Sequence, residues 1–405
     1  MRTKLYTLIL LVSVMSAVPC GIRSQNVKTY DPVIQTIVDA VNGDTLWNNI
    51  SYLEGLQRYS LDSVAIQSST FLKNYFIGLG FDTVYFQSYL NGFIPNVIAV
   101  KNGSTYPDSV ILVGAHYDVY ASGAPGADDN GSGTAAVMET GRVIIGHNYK
   151  RTIKLVCFSG EEEGLYGSDA YATEAFDTGE KIKAAVTMDM IAYLKPGDSI
   201  NSDVYFNTAS IGLKNTYASI ASLYVSDFSV ADATFPTGVG TDVQSFWNKG
   251  YEAIFACEGQ FDWLPQNDHC SPYLHTPNDI INVSANSKPQ AAKITQSVVA
   301  TVVALAELAQ QVSVHNNFPV EDKYYLNISP NPVSTDAIVK YYIPKTGSVR
   351  LTICNMLGQT VKIPDNAVKA EGVLALPVVD LLNGIYQIRI DAGNYCITRK
   401  FIITK

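Results

Sequence analysis

Basic charge is the first thing in short supply. Against 37 Asp and Glu the 405-residue chain carries 28 Lys and Arg, a formal net charge of -9. Nucleic-acid and anionic-lipid binders normally present a basic footprint, so both partner classes are set aside. Long apolar runs are missing after the first residues. The most apolar helical stretch, near Val298 to Leu308, is short and interrupted by Glu307, so no membrane span is expected. No serine sits in a Gly-x-Ser-x-Gly elbow, and Cys157 lies mid-run with no histidine near it in sequence. A serine or cysteine nucleophile is therefore not indicated. Histidine is scarce, with five in the whole chain, which makes the setting of each one informative.

What is present begins with an export signature. Arg2 and Lys4 precede Leu8-Ile9-Leu10-Leu11-Val12, and small and polar residues follow through Gln25. That order is that of a secretory signal peptide over residues 1–25. Cys20 raises a lipoprotein alternative, although Ala17-Val18-Pro19 before it fits lipidation poorly. The expected destination is the cell surface or the medium, reached through the periplasm. Export permits disulfides, and Cys257 with Cys270 and Cys354 with Cys396 are candidate pairs. The same cysteines read equally well as small buried thiols.

Four short apolar runs, 110–115, 153–158, 185–188 and 253–256, have the continuous character of strands buried on both faces. Residues 81–86 and 96–100 read as further strands, and helical spacing occupies 60–80, 134–145, 166–175, 213–223, 243–248 and 291–311. Such alternation predicts an α/β fold, a three-layer sandwich with a mostly parallel central sheet, over residues 26–312. Residues 313–324 read as a polar linker. Beyond it, short β-like runs separated by turn signals predict a small all-β sandwich over 325–405.

The chemistry lies at the ends of the predicted strands, where open α/β sheets bind their ligands. His116 follows one strand directly, with Asp118 two residues on, spaced to orient a metal-bound imidazole. In Gly126-Ala127-Asp128-Asp129-Asn130-Gly131-Ser132-Gly133, two adjacent acids among glycines exceed what capping the next helix needs. Asp129 is the candidate carboxylate bridging two ions, with Asp128 turned away to hold the loop. Gly160-Glu161-Glu162-Glu163 follows another strand. One acid can ligate while its neighbour reaches water, and Glu162 is assigned as ligand and Glu161 as general base. Asp189 sits alone in an apolar run, where an unpartnered charge is costly and a metal explains it. His275 lies in the Pro-containing loop Tyr273 to Asp279. Imidazole and carboxylate donors of this kind suit zinc, and a pair of zinc ions can activate water and polarise a carbonyl together.

The ordered set His116, Asp129, Glu162, Asp189 and His275 resembles the co-catalytic di-zinc exopeptidases, a group that includes bacterial leucyl aminopeptidases, glutamate carboxypeptidase II and glutaminyl cyclases. The resemblance covers about Asn96 to Leu308. It implies one zinc on His116 and Asp189, a second on Glu162 and His275, Asp129 bridging them, Asp118 orienting His116 and Glu161 as base. It also implies hydrolysis of peptide substrates at a terminus, with the amino end favoured. Where many members have Ser-Asp-His, this chain has Thr241-Asp242-Val243. Tyr273, Phe261 and Trp263 are the candidates for lining the substrate pocket. Rival readings are a glutaminyl cyclase-like acyltransferase or carboxypeptidase on the same scaffold, and a non-catalytic surface binding protein.

Residues 325–405, with Ile328-Ser329-Pro330-Asn331-Pro332, Leu382-Asn383-Gly384-Ile385-Tyr386 and the terminal Arg399-Lys400-Phe401, look like the C-terminal sorting domain of the type IX secretion system. That resemblance implies the type IX machinery as a partner. An adhesive or carbohydrate-binding sandwich is the alternative.

Overall fold

The computed structural model describes residues 29–261, 269–309, 325–342, 349–355, 359–363, 371–392 and 395–405. The expected signal peptide and linker fall outside these, as does Trp263, a candidate for lining the substrate pocket. The chain forms two compact units, Met1–Gln311 and Val312–Lys405.

The first unit is built on eight strands: β1 (Thr83–Gln87), β2 (Asn96–Lys101), β3 (Tyr106–His116), β4 (Arg151–Phe158), β5 (Lys181–Met188), β6 (Asn201–Phe206), β7 (Ser229–Ala233) and β8 (Ala253–Cys257). They form one sheet in the order β1-β2-β4-β3-β5-β8-β6-β7. The block β4-β3-β5-β8 is parallel throughout, and antiparallel pairings join β2 and β6 to it. Residues of the central strands alternate between two cores. Ile111, Val113 and Ala115 of β3 enter one, Val110 and Leu112 the other. A strand with no solvent face reads as an unbroken apolar run, which is why these four were visible in the sequence.

One face is covered by α1 (Pro32–Asp39), α2 (Gly43–Glu54), α3 (Ile66–Leu79), α4 (Gly131–Ile144), α6 (Ile211–Tyr224) and α8 (Lys288–Ala306). The other is covered by α5 (Tyr166–Asp177) and α7 (Val243–Asn248). The connection through α4 leads from β3 to β4 on one side, and that through α5 leads back across to β5 on the other. Loops therefore diverge at the carboxyl end of β3 and open a crevice there.

Sequence periodicity missed α1, α2, β6 and β7. The helices carry their signals at their starts. Asp31 accepts the Val33 N-H ahead of Pro32, and Asn42 accepts the N-H of Asp44 and Thr45, both standard N-terminal caps. β7 is a largely exposed edge strand, so no apolar run marks it.

The second unit packs two antiparallel sheets. They are β13 (Glu371–Pro377), β10 (Asp336–Tyr342) and β9 (Tyr325–Ser329) in one, and β12 (Thr360–Lys362), β11 (Val349–Asn355), β14 (Gly384–Ala392) and β15 (Tyr395–Ile403) in the other. Ala337, Val339 and Leu376 of the first meet Ile353, Ile388 and Phe401 of the second. This is the expected small sandwich. The candidate Cys354–Cys396 disulfide is excluded by register. Cys354 on β11 faces Gln387, while Cys396 on β15 faces Asp391 across the far edge of β14. Two strand spacings, about 9.6 Å, exceed what a disulfide can bridge, and Cys354 is a thiol. In the first unit Cys257 and Cys270 stand side by side as thiols, sulfurs 3.9 Å apart.

Arg58, just after α2, is fully buried. It donates to the carbonyls of Leu53, Tyr117, Pro125 and Gly126 at 3.0, 3.1, 2.7 and 2.6 Å. Burial pushes its guanidinium down to about 10, while Asp279, Asp129 and Asp118 oppose that drop, so it stays charged at neutral pH. Arg58→Met takes its donors from the carbonyls of Tyr117 and Pro125, while Leu53 and Gly126 keep backbone N-H partners, and the expected loss is on the order of 3 kcal/mol, read as a lowered denaturation midpoint with an unchanged m-value.

Candidate metal centre

The crevice collects the predicted residues from five separate segments. His116 is the last residue of β3, and Asp118 follows it. Asp129 precedes α4, whose cap Asn130 accepts the Gly133 N-H at 2.8 Å and donates to the Met188 carbonyl at 3.0 Å. Glu161 and Glu162 follow β4 across Gly160, whose φ of 74° suits glycine. Asp189 follows β5. His275 stands at φ 55° between β8 and α8.

The two oxygens of Asp129 face different imidazoles. Oδ1 lies 3.4 Å from His116 Nε2, and Oδ2 lies 3.2 Å from His275 Nε2. His116 Nε2 is also 3.3 Å from Asp189 Oδ2, and His275 Nε2 is 2.8 Å from Glu162 Oε2. Behind the first ring, Asp118 Oδ1 lies 3.5 Å from His116 Nδ1. Donor atoms of His116, Glu161 and Asp189 lie within 4.8 Å of one another, and so do those of Asp129, Glu162 and His275. All seven predicted residues are thus brought together. His269 is not among them: it is exposed, pairs with Asp198 at 2.6 Å and lines a different hollow.

Three supporting acids carried no assignment in the sequence reading. Asp279 accepts the backbone N-H of Asp128 and Asp129 at 2.9 and 3.0 Å. It fixes the loop that presents the Asp129 carboxylate. Asp128 turns away as expected and accepts the Ala192 N-H at 2.9 Å. Glu258, directly after β8, accepts from the N-H groups of Tyr193 and Ser271. Asp242 is buried beside the cluster. Such residues leave no local pattern, because their partners lie far away in sequence. The exception is Asp279, where Pro277-Asn278-Asp279 is a turn signal.

Electrostatically the centre is overloaded with carboxyls. Burial and the neighbouring Asp129 push Glu162 up to about 8. Burial raises Glu161 well above the carboxylate range, with Asp242 and Asp189 adding to it. Burial lifts Asp242 to about 7 and Asp128, beside Asp279, to about 8. Hydrogen bonds to Asp129 and Glu162 raise His275 to about 10. Asp129 alone is held low against its burial, by the two imidazoles. Meanwhile Glu162 Oε1, Asp189 Oδ1 and both nitrogens of His116 are buried without a hydrogen bond. Buried polar atoms are normally satisfied. Orphaned imidazole and carboxylate atoms converging on two points fit a pair of divalent cations.

A cavity of about 310 Å³ adjoins this cluster, with Met190, Val239, Thr241, Phe261 and Leu274 among its walls. Of the sequence candidates for this role, Phe261 lines the cavity, Tyr273 is not among the described lining residues, and Trp263 lies outside the described residues. Thr241, at the departure from Ser-Asp-His, also faces the cavity.

With fold and centre in hand, comparison with known proteins gives a consistent result. Residues 96–303 match the model of peptidase family M28, and residues 327–404 match a secretion system C-terminal sorting domain. The chain belongs to peptidase family M28, and it carries a C-terminal sorting domain. A "Probable leucine aminopeptidase" of Trichophyton verrucosum (strain HKI 0517) is 29% identical over 212 residues, 49% of this chain and 53% of the relative. A "Probable zinc metalloprotease" of Pyrenophora tritici-repentis (strain Pt-1C-BFP) is 39% identical over 125 residues, 27% and 26% respectively. The chain thus spans about half or less of the curated relatives it matches. In fold it is similar to the LapA aminopeptidase of Legionella pneumophila, with TM-score 0.62 and 23% identity over 69% of this chain and 76% of that one. Porphyromonas gingivalis glutaminyl cyclase superimposes with TM-score 0.54 and 19% identity over 66% and 99%.

The pKa pattern sets the pH response of the metal-free protein. A carboxyl raised on folding costs stability once pH climbs above its ordinary value, because the folded state must then give up a proton it holds tightly. The contribution of His275 is full below its ordinary 6.5 and fades as pH rises toward about 10. Asp129 has the opposite sign, but its window lies below about pH 4. The metal-free chain is therefore expected to melt at lower temperature at about pH 8 than at about pH 5. Divalent metal, which displaces these protons, should raise the melting temperature most at the higher pH and release protons on binding. Thermal melts with and without chelator, and titrations in two buffers of different ionisation enthalpy, measure both effects.

Proposed function

We propose that this protein is an exported aminopeptidase that binds two zinc ions. The observation that carries the reading is the Asp129 carboxylate between two imidazoles, each with a second carboxylate of its own. In this reading His116 and Asp189 hold one ion, Glu162 and His275 hold the other, and Asp129 bridges. Zinc, when bound, supplies Lewis acidity that eases deprotonation of water and polarises the scissile carbonyl.

The chain's own residues do the rest. Asp118 keeps the His116 ring oriented. Glu161, facing the cavity, takes a proton from the attacking water and returns it to the leaving amine nitrogen. Among the described residues lining the cavity there is no Lys or Arg to pair a substrate carboxylate, whereas Asp129, Glu161, Glu162 and Asp189 all border it. That balance favours a substrate presenting a free ammonium, hence the amino terminus. The name of the Trichophyton relative, a probable leucine aminopeptidase, agrees. The sorting domain supports passage through the periplasm and recognition by the type IX secretion machinery.

A second reading has a specific observation behind it. Glu161 clusters with His116 and Asp189, and an acid sharing protons there would leave room for one ion, as expected for a glutaminyl cyclase-like acyltransferase. Metal content separates the two.

Purified protein is expected to hold two zinc ions and release amino acids from aminoacyl anilides, with activity lost to chelators and restored by zinc. Glu161→Gln should retain both ions while kcat falls about 10²- to 10⁴-fold. Full activity in that variant removes the base, and one ion per chain with cyclisation of amino-terminal glutamine favours the second reading.

A further inference from the structure

The two imidazoles of the centre are held in different ways. His116 is 1% exposed, has Asp118 behind Nδ1, and its carbonyl accepts the Thr134 hydroxyl at 2.7 Å. The His275 side chain is 48% exposed and stands on a loop, with its Nε2 directed at Asp129 and Glu162. Among the described residues no carboxylate plays for its Nδ1 the part that Asp118 plays for His116. A ring lies against it instead. Tyr120 stacks on it with centroids 5.0 Å apart and planes inclined by 21°.

Tyr120 is well placed to act as a fixed surface. The preceding residue, Val119, is fully buried and forms an isolated β-bridge with Tyr59, so the backbone under Tyr120 is tied down just past the end of β3. The χ2 torsion of a histidine is broad and needs an outside contact to define the ring plane. An offset stack supplies one. An imidazole that carries a metal is electron-poor, so the electron-rich face of the phenol ring holds it more firmly in the loaded state than in the empty one.

We propose that Tyr120 is a positioning residue for His275: its ring face sets the imidazole plane so that Nε2 points between Asp129 and Glu162, and it thereby sets the affinity of one of the two metal positions. The inference rests on the two-ion reading above. It assigns to an aromatic face the task that a carboxylate performs on the other histidine, and it couples the strand end bearing His116 to the loop bearing His275.

The test uses the full chain and four variants: Tyr120→Phe, Tyr120→Leu, Tyr120→Ala and His275→Ala. Zinc retained against graded chelator is measured together with kcat and KM. Tyr120→Phe should hold zinc as the parent does, because the stack survives without the hydroxyl. Tyr120→Leu, which keeps bulk without a π face, and Tyr120→Ala should each release one of the two ions at about tenfold lower chelator strength, the ion that His275→Ala also loses, with kcat reduced more than KM is raised. Parent-like retention in both Tyr120→Leu and Tyr120→Ala overturns the proposal and leaves the two-ion reading standing. Parent-like retention in Tyr120→Leu alone also overturns it, since bulk would then suffice. A parent chain that binds no zinc overturns both.

Discussion

Carboxylates crowded beneath one sheet edge are the constraint on which this molecule turns. Asp118, Asp128, Asp129, Glu161, Glu162, Asp189, Asp242 and Asp279 gather around two imidazoles and a single buried guanidinium. In water such a set would disperse. Here the strand ends fix where each backbone emerges, and Asp128, Glu161, Glu162 and Asp242 answer by holding protons above their ordinary range, while the two imidazoles hold Asp129 low. A protein does not keep buried charge of one sign without a counter-charge. The site makes physical sense as a receptacle for cations, and the orphaned nitrogen and oxygen atoms mark where they would sit.

The rest of the fold serves that receptacle. Divergence of the chain on either side of β3 creates the crevice, and the loop carrying Asp129 is then pinned from three directions. Asp279 takes its N-H groups, Arg58 takes the carbonyls of Pro125 and Gly126, and Asn130 reaches across to Met188. Metal ligands need placement to a fraction of an ångström, and these contacts supply it from residues that touch no metal. Arg58 has a double part, since it also brings a positive charge near Asp118 and Asp129.

Much of this could be read from the amino-acid sequence, for identifiable reasons. Strands buried on both faces announce themselves as apolar runs, so β3, β4, β5 and β8 were plain and His116, Glu162 and Asp189 could be located at their ends. Elements at the periphery were not: β7 is exposed, and α1 and α2 show themselves through caps and not through a sustained stripe. The same division applies to the site. Ligands sit in polar breaks of apolar segments and stand out. Arg58 and Glu258 do their work through hydrogen bonds to backbone groups up to 68 residues away, which no local pattern encodes. The cysteine pairing of the C-terminal module fared worst, because two cysteines in a β-sandwich say nothing about which strands adjoin.

The cavity beside the centre has a consequence for what a substrate population would look like over time. At about 310 Å³ it lies at the small end of ligand sites, about 300 to 1,000 Å³, and Met190, Val239, Phe261 and Leu274 give it an apolar part suited to an apolar side chain. On the proposed reading a peptide would be shortened one residue per visit, producing a nested ladder of truncations whose rungs pile up wherever the newly exposed side chain fits that hollow badly. The composition of such a ladder is a record of the cavity's shape, written in peptide masses.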